Sequence, residues 1–419
     1  MVLDRARLSA IADAYDRKKL AVACVGSHSA LDICDGAAEE GLRTIVVAQA
    51  GRERTFARYF RATEGASPAE KRGLVDDCWV LPKYADVLLA ENQARLRREC
   101  AVFVPNRSFT SYAPLAAIED AFEVPIFGSR AMLGVEERGH ARDYYHLLEH
   151  AGIPFPERVA SPEAIDKLVI VKLAHAKKRL ERGFFTAASP KEFHEKAGAL
   201  VREGVIERSE LKEARIERYV IGPVFNLNMF YSPIETKASA LELLGVDWRF
   251  ESSLDGHVRL PAAQQMGLGP SQAVPEYTVV GHNSATLRES LLEKAFELGE
   301  KFVAAAREHY PPGIIGPFCL QTCVDKDLNF YVYDVAPRVG GGTNIHMSLG
   351  HPYGNALWRR PMSTGRRVAL EVRRAAEAGK RGRARPFLDA LPEGSLLFGS
   401  LARGDVREAS DIDIEVPQG

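Results

Sequence analysis

No stretch of this 419-residue chain approaches the roughly 18 uncharged apolar residues that a membrane helix needs. The N-terminal segment MVLDRARLSAIADAYDRKK carries charge throughout and has no apolar core of signal-peptide length. Together these absences predict a cytoplasmic protein with no membrane partner. Net charge is also missing: the formal value is −1, so no global field draws the chain to nucleic acid or to an anionic surface. Its six cysteines, Cys24, Cys34, Cys78, Cys100, Cys319 and Cys323, sit in apolar segments without metal-ligand spacing. Reduced core residues are expected there. No internal repeat is visible.

What is present is ordinary globular composition, with 46% hydrophobic and 26% charged residues. At about 100–200 residues per domain the length suggests two or three domains. The expected fold class is α/β. Leu20 to Val25, Thr44 to Val47, Val80 to Pro82, Val102 to Pro105 and Pro125 to Gly128 are short apolar runs that each end in a polar loop. A parallel sheet with helices on both faces follows from that alternation. Ligands of such sheets lie at the carboxyl ends of the strands, which sets Gly26 to Ser29 and Asn106 to Ser108 beside one crevice.

A second unit begins near Arg142, where Tyr144, Leu147, Leu148 and Ala151 have helical spacing and Gly152 with Pro154 stops the helix. Leu168 to Leu173 and Gly183 to Ala187 read as strands. Ser189-Pro190-Lys191-Glu192 is a capping box that starts a helix running to about Glu203. Arg215 to Ile221 and Phe225 to Tyr231 are further strands, the latter with a polar face of Asn226 and Asn228. Asp247 to Pro275 reads as a looser region, followed by a helix from Leu291 to about Ala306.

Cys319 to Val324 and Phe330 to Val335 read as a hairpin around Asp325-Lys326-Asp327. A symmetric ladder sets Gln321 opposite Asp334, with Cβ atoms about 4.5–5.5 Å apart. Two oxygen-bearing side chains at that separation can share one hard cation; a polar pair on a solvated face is the alternative. Ala336-Pro337-Arg338-Val339-Gly340-Gly341-Gly342 then supplies an arginine and a run of backbone donors suited to phosphates. Lys172 ends an apolar strand and can direct its ammonium at phosphates. Glu217 and Tyr219 lie on a strand able to offer backbone hydrogen bonds to an adenine edge.

Strand lysine, basic loop, Glu-x-Tyr-Val hinge and a hairpin ending in Asp-x-x-Pro-Arg occur in the order of the ATP-grasp superfamily. More closely, GSHSALDICDGAAEEG, GFFTAAS, IERYVIG, FYSP, GPFCLQ, PRVGGGTN and PMSTGRRVALE resemble the archaeal PurP family over roughly residues 5 to 375. The resemblance implies an ATP-grasp fold with an N-terminal parallel-sheet domain. It divides the chain into 1–130, 131–380 with a mobile part at about 155–235, and a basic linker and tail at 381–419. It further implies a purine-biosynthetic ligase using ATP, formate and AICAR with Mg²⁺ or Mn²⁺, and giving FAICAR, ADP and phosphate through formyl phosphate. Small molecules would be its partners, and a homo-oligomer is expected.

Carried over by position, Gln321 and Asp334 would hold the metal, while Lys172, Glu217, Tyr219 and Val220 would hold ATP. Lys177 and Lys178 would cover its phosphates, Arg338 and Arg288 would be the catalytic cations, and His28 and Ser108 would face AICAR. Three features depart from the family pattern. The loop after Lys172 is AHAKKRLERG rather than glycine-rich, Asp334 stands where glutamate is common, and Asn106-Arg107 replaces a histidine. They suggest a divergent paralogue and keep open a different acid and amine, or nucleotide binding without turnover. In the tail, Gly399-Ser400 and Ser410-Asp411-Ile412-Asp413 resemble the start of a minimal nucleotidyltransferase without its later carboxylate, hence a truncated remnant.

Overall fold

Short runs that are apolar beyond a charged first residue in the second and third form the first four strands of the computed structural model, which describes residues 5–64, 72–137, 142–173, 184–235, 240–252, 254–269, 278–380 and 395–396. They are β1 (Ala21–Val25), β2 (Arg43–Gln49), β3 (Asp77–Leu81) and β4 (Ala101–Phe103), all parallel, in the order β3-β2-β1-β4. The helix Ala30–Glu39 follows β1, and Gly41 at φ 73° ends its run, a left-handed turn that favours glycine. Pro125 to Gly128, expected as another strand of this sheet, contributes only an isolated bridge between Ile126 and Phe103. The chain then forms β5 (Gly128–Ser129).

A three-stranded antiparallel sheet comprises β6 (Val169–Lys172), β7 (Phe184–Ala187) and β8 (Arg215–Arg218), with β6 in the middle. The predicted cap at Ser189 is present, its Oγ accepting from the Glu192 amide at 3.2 Å, and the helix spans Pro190–Arg202. Lys177 and Lys178 lie outside the described residues, as do the motifs of the tail.

The largest sheet is antiparallel: β9 (Val224–Tyr231), β10 (Leu241–Glu251), β11 (Val279–Ser284), β12 (Gly316–Val324) and β13 (Phe330–Ala336), in the order β11-β10-β9-β12-β13. Strand β10 corrects the sequence expectation, because Asp247 to Glu251 belong to it rather than to a looser region. The helix Glu289–His309 covers one face of this sheet, with Phe302 and Phe318 stacked and fully buried. Each such side chain contributes roughly 1.5–3 kcal/mol by leaving water.

The parallel sheet packs under the helices Ala30–Glu39 and Thr364–Lys380. These helices meet at Gly36 and Gly365, where any Cβ would overlap the other helix's backbone. The two-residue strand β14 (Ser395–Leu396) pairs with β5, so that part of the tail is joined to the body. All six cysteines are free, as expected. No described helix is long and apolar enough to cross a membrane.

Candidate functional site

Lys172, the last residue of β6, is buried and points its ammonium into a polar cage. Its Nζ donates to Tyr145 Oη and to the Tyr333 carbonyl, each at 3.0 Å, and lies 2.6 Å from Glu217 Oε2. Arg215 Nε reaches the other carboxylate oxygen at 2.6 Å. Burial raises the Glu217 pKa, but Lys172, Tyr145 and Arg215 outweigh it and hold the carboxyl below its ordinary value. Glu217 is thus the counter-ion of the strand lysine. The strand expected over Arg215 to Ile221 is shorter, since β8 ends at Arg218 and leaves Tyr219 and Val220 beyond it. The Tyr219 amide donates to the Leu168 carbonyl at 3.0 Å, and the Val220 carbonyl accepts from Cys323 Sγ at 3.5 Å.

Gln321 and Asp334 pair across the hairpin as expected, though not through a symmetric ladder. The register shifts by one between Gln321 and Thr322, leaving Tyr333 as a bulge on β13. The freed Tyr333 carbonyl is the one that Lys172 uses. Cross-strand pairing continues from Gln321 to Asn226 and from Asn226 to Asp247. Asp334, Gln321, Asn226 and Asp247 therefore form one buried polar row over four strands.

At the far end of this row Asp247 accepts from Asn226 Nδ2 at 2.8 Å and Asn228 Nδ2 at 2.6 Å, and lies 2.6 Å from His282 Nδ1. Burial raises its pKa, but the His282 and asparagine contacts prevail and keep it below the usual carboxylate value. Two residues along β10, Arg249 donates to Gln321 Oε1. Burial works against the Arg249 cation, while the surrounding groups, Asp334 and Asp247 among them, hold its pKa above the ordinary arginine value.

The glycine run lies directly on this row. A Cβ at Gly340 would stand 2.6 Å from Asn228 Oδ1, and one at Gly342 would overlap Asp247 Oδ2 and His282 Nδ1. Gly341 faces the N-terminal sheet, where a Cβ would meet His28 Cδ2 at 3.8 Å. The turn after β1 is clasped to the same loop: Ser29 Oγ donates to the Gly340 carbonyl at 2.5 Å, and the Asp32 amide donates to Asn344 Oδ1 at 3.0 Å. His28 Nδ1 lies 3.4 Å from Ser108 Oγ. Strand ends of the parallel sheet and the polar row of the antiparallel sheet thus border one crevice.

Arg338, an expected catalytic cation, and Arg107 are both engaged by acids. Arg338 holds Glu136 through Nε at 3.1 Å and a second nitrogen at 2.5 Å. Arg107 lies 3.3 Å from Glu136 and 2.7 Å from Glu137. Asn106 caps the helix Arg107–Tyr112 through Phe109 N and donates to the Val25 carbonyl at 2.8 Å, tying β1 to β4. Arg288 is exposed at the N-cap of Glu289–His309, and among the described residues no contact ties its side chain to the cluster.

Asp247, Arg249, His282, Glu136 and Tyr145 were missed from sequence. A signal for the first two existed: Asp247, Arg249 and Glu251 alternate with Trp248 and Phe250, the period of a half-polar strand. One carboxylate and one amide oxygen side by side, Asp334 and Gln321, are hard donors of the kind that suit a hard divalent cation.

A parallel-sheet unit joined to two antiparallel sheets that enclose a lysine cage and a polar hairpin row defines an ATP-grasp enzyme. Family models described as a protein of unknown function (DUF1246) and a domain of unknown function (DUF1297) match residues 22–159 and 192–382. The chain is 40% identical to the 5-formaminoimidazole-4-carboxamide-1-(beta)-D-ribofuranosyl 5'-monophosphate synthetase of Methanopyrus kandleri, over 90% of this chain and 98% of the relative. It is 38% identical to the synthetase of the same name from Methanocaldococcus jannaschii, over 88% and 95%. The crystal structure of the IMP biosynthesis protein PurP from Thermococcus kodakaraensis has a TM-score of 0.61 and 31% identity, covering 85% of this chain and 97% of that one. An N5-carboxyaminoimidazole synthetase from Staphylococcus aureus shares the fold, with a TM-score of 0.52 at 13% identity and coverage of 84% and 77%. The chain belongs to the PurP family of these synthetases.

Proposed function

We propose that the chain is the ATP-dependent ligase of purine biosynthesis that formylates AICAR with formate to give FAICAR, ADP and phosphate. A formate oxygen attacks the γ-phosphorus and ADP leaves; the 5-amino group of AICAR then attacks the formyl carbon, phosphate leaves, and the amine proton passes to a base. The observation that carries this reading is the crevice itself, in which His28, beside Ser108, stands against the glycine loop that lies on Asn228 and Asp247.

Lys172, paired with Glu217, holds ATP phosphate, and Tyr219 with Val220 borders the base. Asp334 and Gln321 would hold Mg²⁺ or Mn²⁺, which supplies charge neutralisation at the transferring phosphoryl group. Arg249 releases Gln321 when a cation takes that oxygen, and its guanidinium is then free for an anion of the substrates. Arg338, braced by Glu136, fixes the course of the glycine loop. His28 and Ser108 bind AICAR, whose amine is thereby brought to the acyl phosphate only in the ternary complex.

The test is ADP release measured with AICAR and formate omitted and restored in turn. Release requiring both is expected. Release without formate, or with neither, overturns the assignment of the acid.

A further inference from the structure

We propose that His146, His150 and His309 form a binding site for one transition-metal dication of the zinc class, separate from the crevice. His146 and His150 are four residues apart on the helix Tyr144–His150, which puts them on one face. His309 is the last residue of the helix Glu289–His309 packed beside it. One ring nitrogen from each lies within 4.8 Å of the others.

The separations suit ligation. His146 Nε2 and His309 Nδ1 are 3.3 Å apart. In a tetrahedral site with zinc-to-nitrogen bonds of about 2.0–2.1 Å, neighbouring ligand nitrogens lie about 3.3–3.4 Å apart. An ion would replace the proton these two nitrogens now share. His150 Nδ1 donates to the His146 carbonyl at 2.8 Å, which leaves Nε2 with its lone pair. Outer hydrogen bonds of this kind fix the tautomer of metal-bound histidines.

Among the described residues no carboxylate hydrogen-bonds or ion-pairs with any of the three rings, so no acidic side chain accounts for the cluster. An all-imidazole set selects zinc, nickel or copper over magnesium or calcium, whereas Asp334 and Gln321 are hard oxygen donors. The two sites therefore need not compete. The same helix carries Tyr145, the hydroxyl partner of Lys172, so an ion here would tether the wall of the lysine cage to the long helix.

The experiment uses the full chain, stripped with a chelator and titrated with Zn²⁺ and then Co²⁺ in saturating Mg²⁺. We expect one Zn²⁺ per chain, the strong visible absorption of tetrahedral Co²⁺, and a rise in Tm on Zn²⁺ binding. His150→Gln and His309→Gln, with unchanged circular dichroism, should each weaken Zn²⁺ binding by at least about tenfold. Absence of saturable Zn²⁺ binding to the wild type, or equal affinity in wild type and both variants, overturns the proposal. These outcomes do not depend on the ligase assignment, since turnover is not their readout.

Discussion

Gln321 and Asp334 face each other across β12 and β13 only because Tyr333 is an extra residue on its strand. Without that bulge the register of Val324 with Phe330 and Cys323 with Tyr331 would bring Tyr333 opposite Gln321. One insertion thus creates the oxygen pair and also turns a carbonyl towards Lys172.

Asp334→Ala should reduce ADP release by 100-fold or more while leaving circular dichroism and Tm close to wild type. The argument is that loss of one preorganised charged group at a phosphoryl-transfer centre costs about 3–4 kcal/mol of transition-state stabilisation. Gln321→Ala, which removes a neutral ligand, should cost less. Wild-type turnover in the aspartate variant would remove the metal assignment.

Gly342→Ala should be severe although it adds one methyl group. That methyl would overlap Asp247 Oδ2 and His282 Nδ1, so either the loop lifts or the buried couple separates. Overpacking of this kind costs typically about 1–3 kcal/mol, and we expect a lower Tm together with a fall in kcat. A variant with wild-type Tm and kcat would show that the loop does not rest on this pair.

The pH dependence of stability should carry a signature of Asp32. Complete burial raises its pKa from 3.8 to about 6, against the lowering effect of the nearby Ser363 and Thr343 hydroxyls and of the Gly365 amide that donates to it. Between these two values the native state binds more protons than the unfolded state, so stability falls as pH rises. The contribution is full below about pH 4 and is lost above about pH 6, on the order of 3 kcal/mol. Urea midpoints of wild type and Asp32→Asn, taken from pH 4 to 7, should converge or cross in the direction of a relative loss by wild type. Parallel profiles would contradict the assignment.

His28→Ala should abolish AICAR-dependent turnover without weakening ATP binding, because its ring lies by Ser108 and Gly341 rather than in the lysine cage. Nucleotide affinity by calorimetry separates the two effects. Tight AICAR binding by the variant would move the amine substrate elsewhere.

Much of this was legible in the sequence for physical reasons. The short uncharged runs around Val22, Val46 and Val102 can only be buried strands, and the Gln321 and Asp334 strands are bounded by an unmistakable turn. Lys172 stands out because a cation at the end of such a run must find partners. What stayed hidden depends on register or on distant contacts. Asp247 and Arg249 look like loop residues until β10 is paired with β9, and Glu136 gains meaning only when Arg338, far along the chain, is laid against it. Arg338 itself was expected to be open to phosphate, since sequence cannot show a counter-ion 202 residues away.

The contact of Gly36 with Gly365 bears on how the polypeptide matures. The helix that packs over the first-made sheet leaves the ribosome late, since about 330 residues separate the two glycines in synthesis. Until then Ile33, Ala37 and the apolar surface beneath them stay uncovered. A nascent chain arrested before Thr364 should therefore be held by chaperones and be sensitive to protease, and adding a peptide of residues 364–380 should restore resistance. Gly36 and Gly365 are thus a contact that forms only after a long stretch of synthesis, and a bulkier residue at either should delay burial of the first sheet.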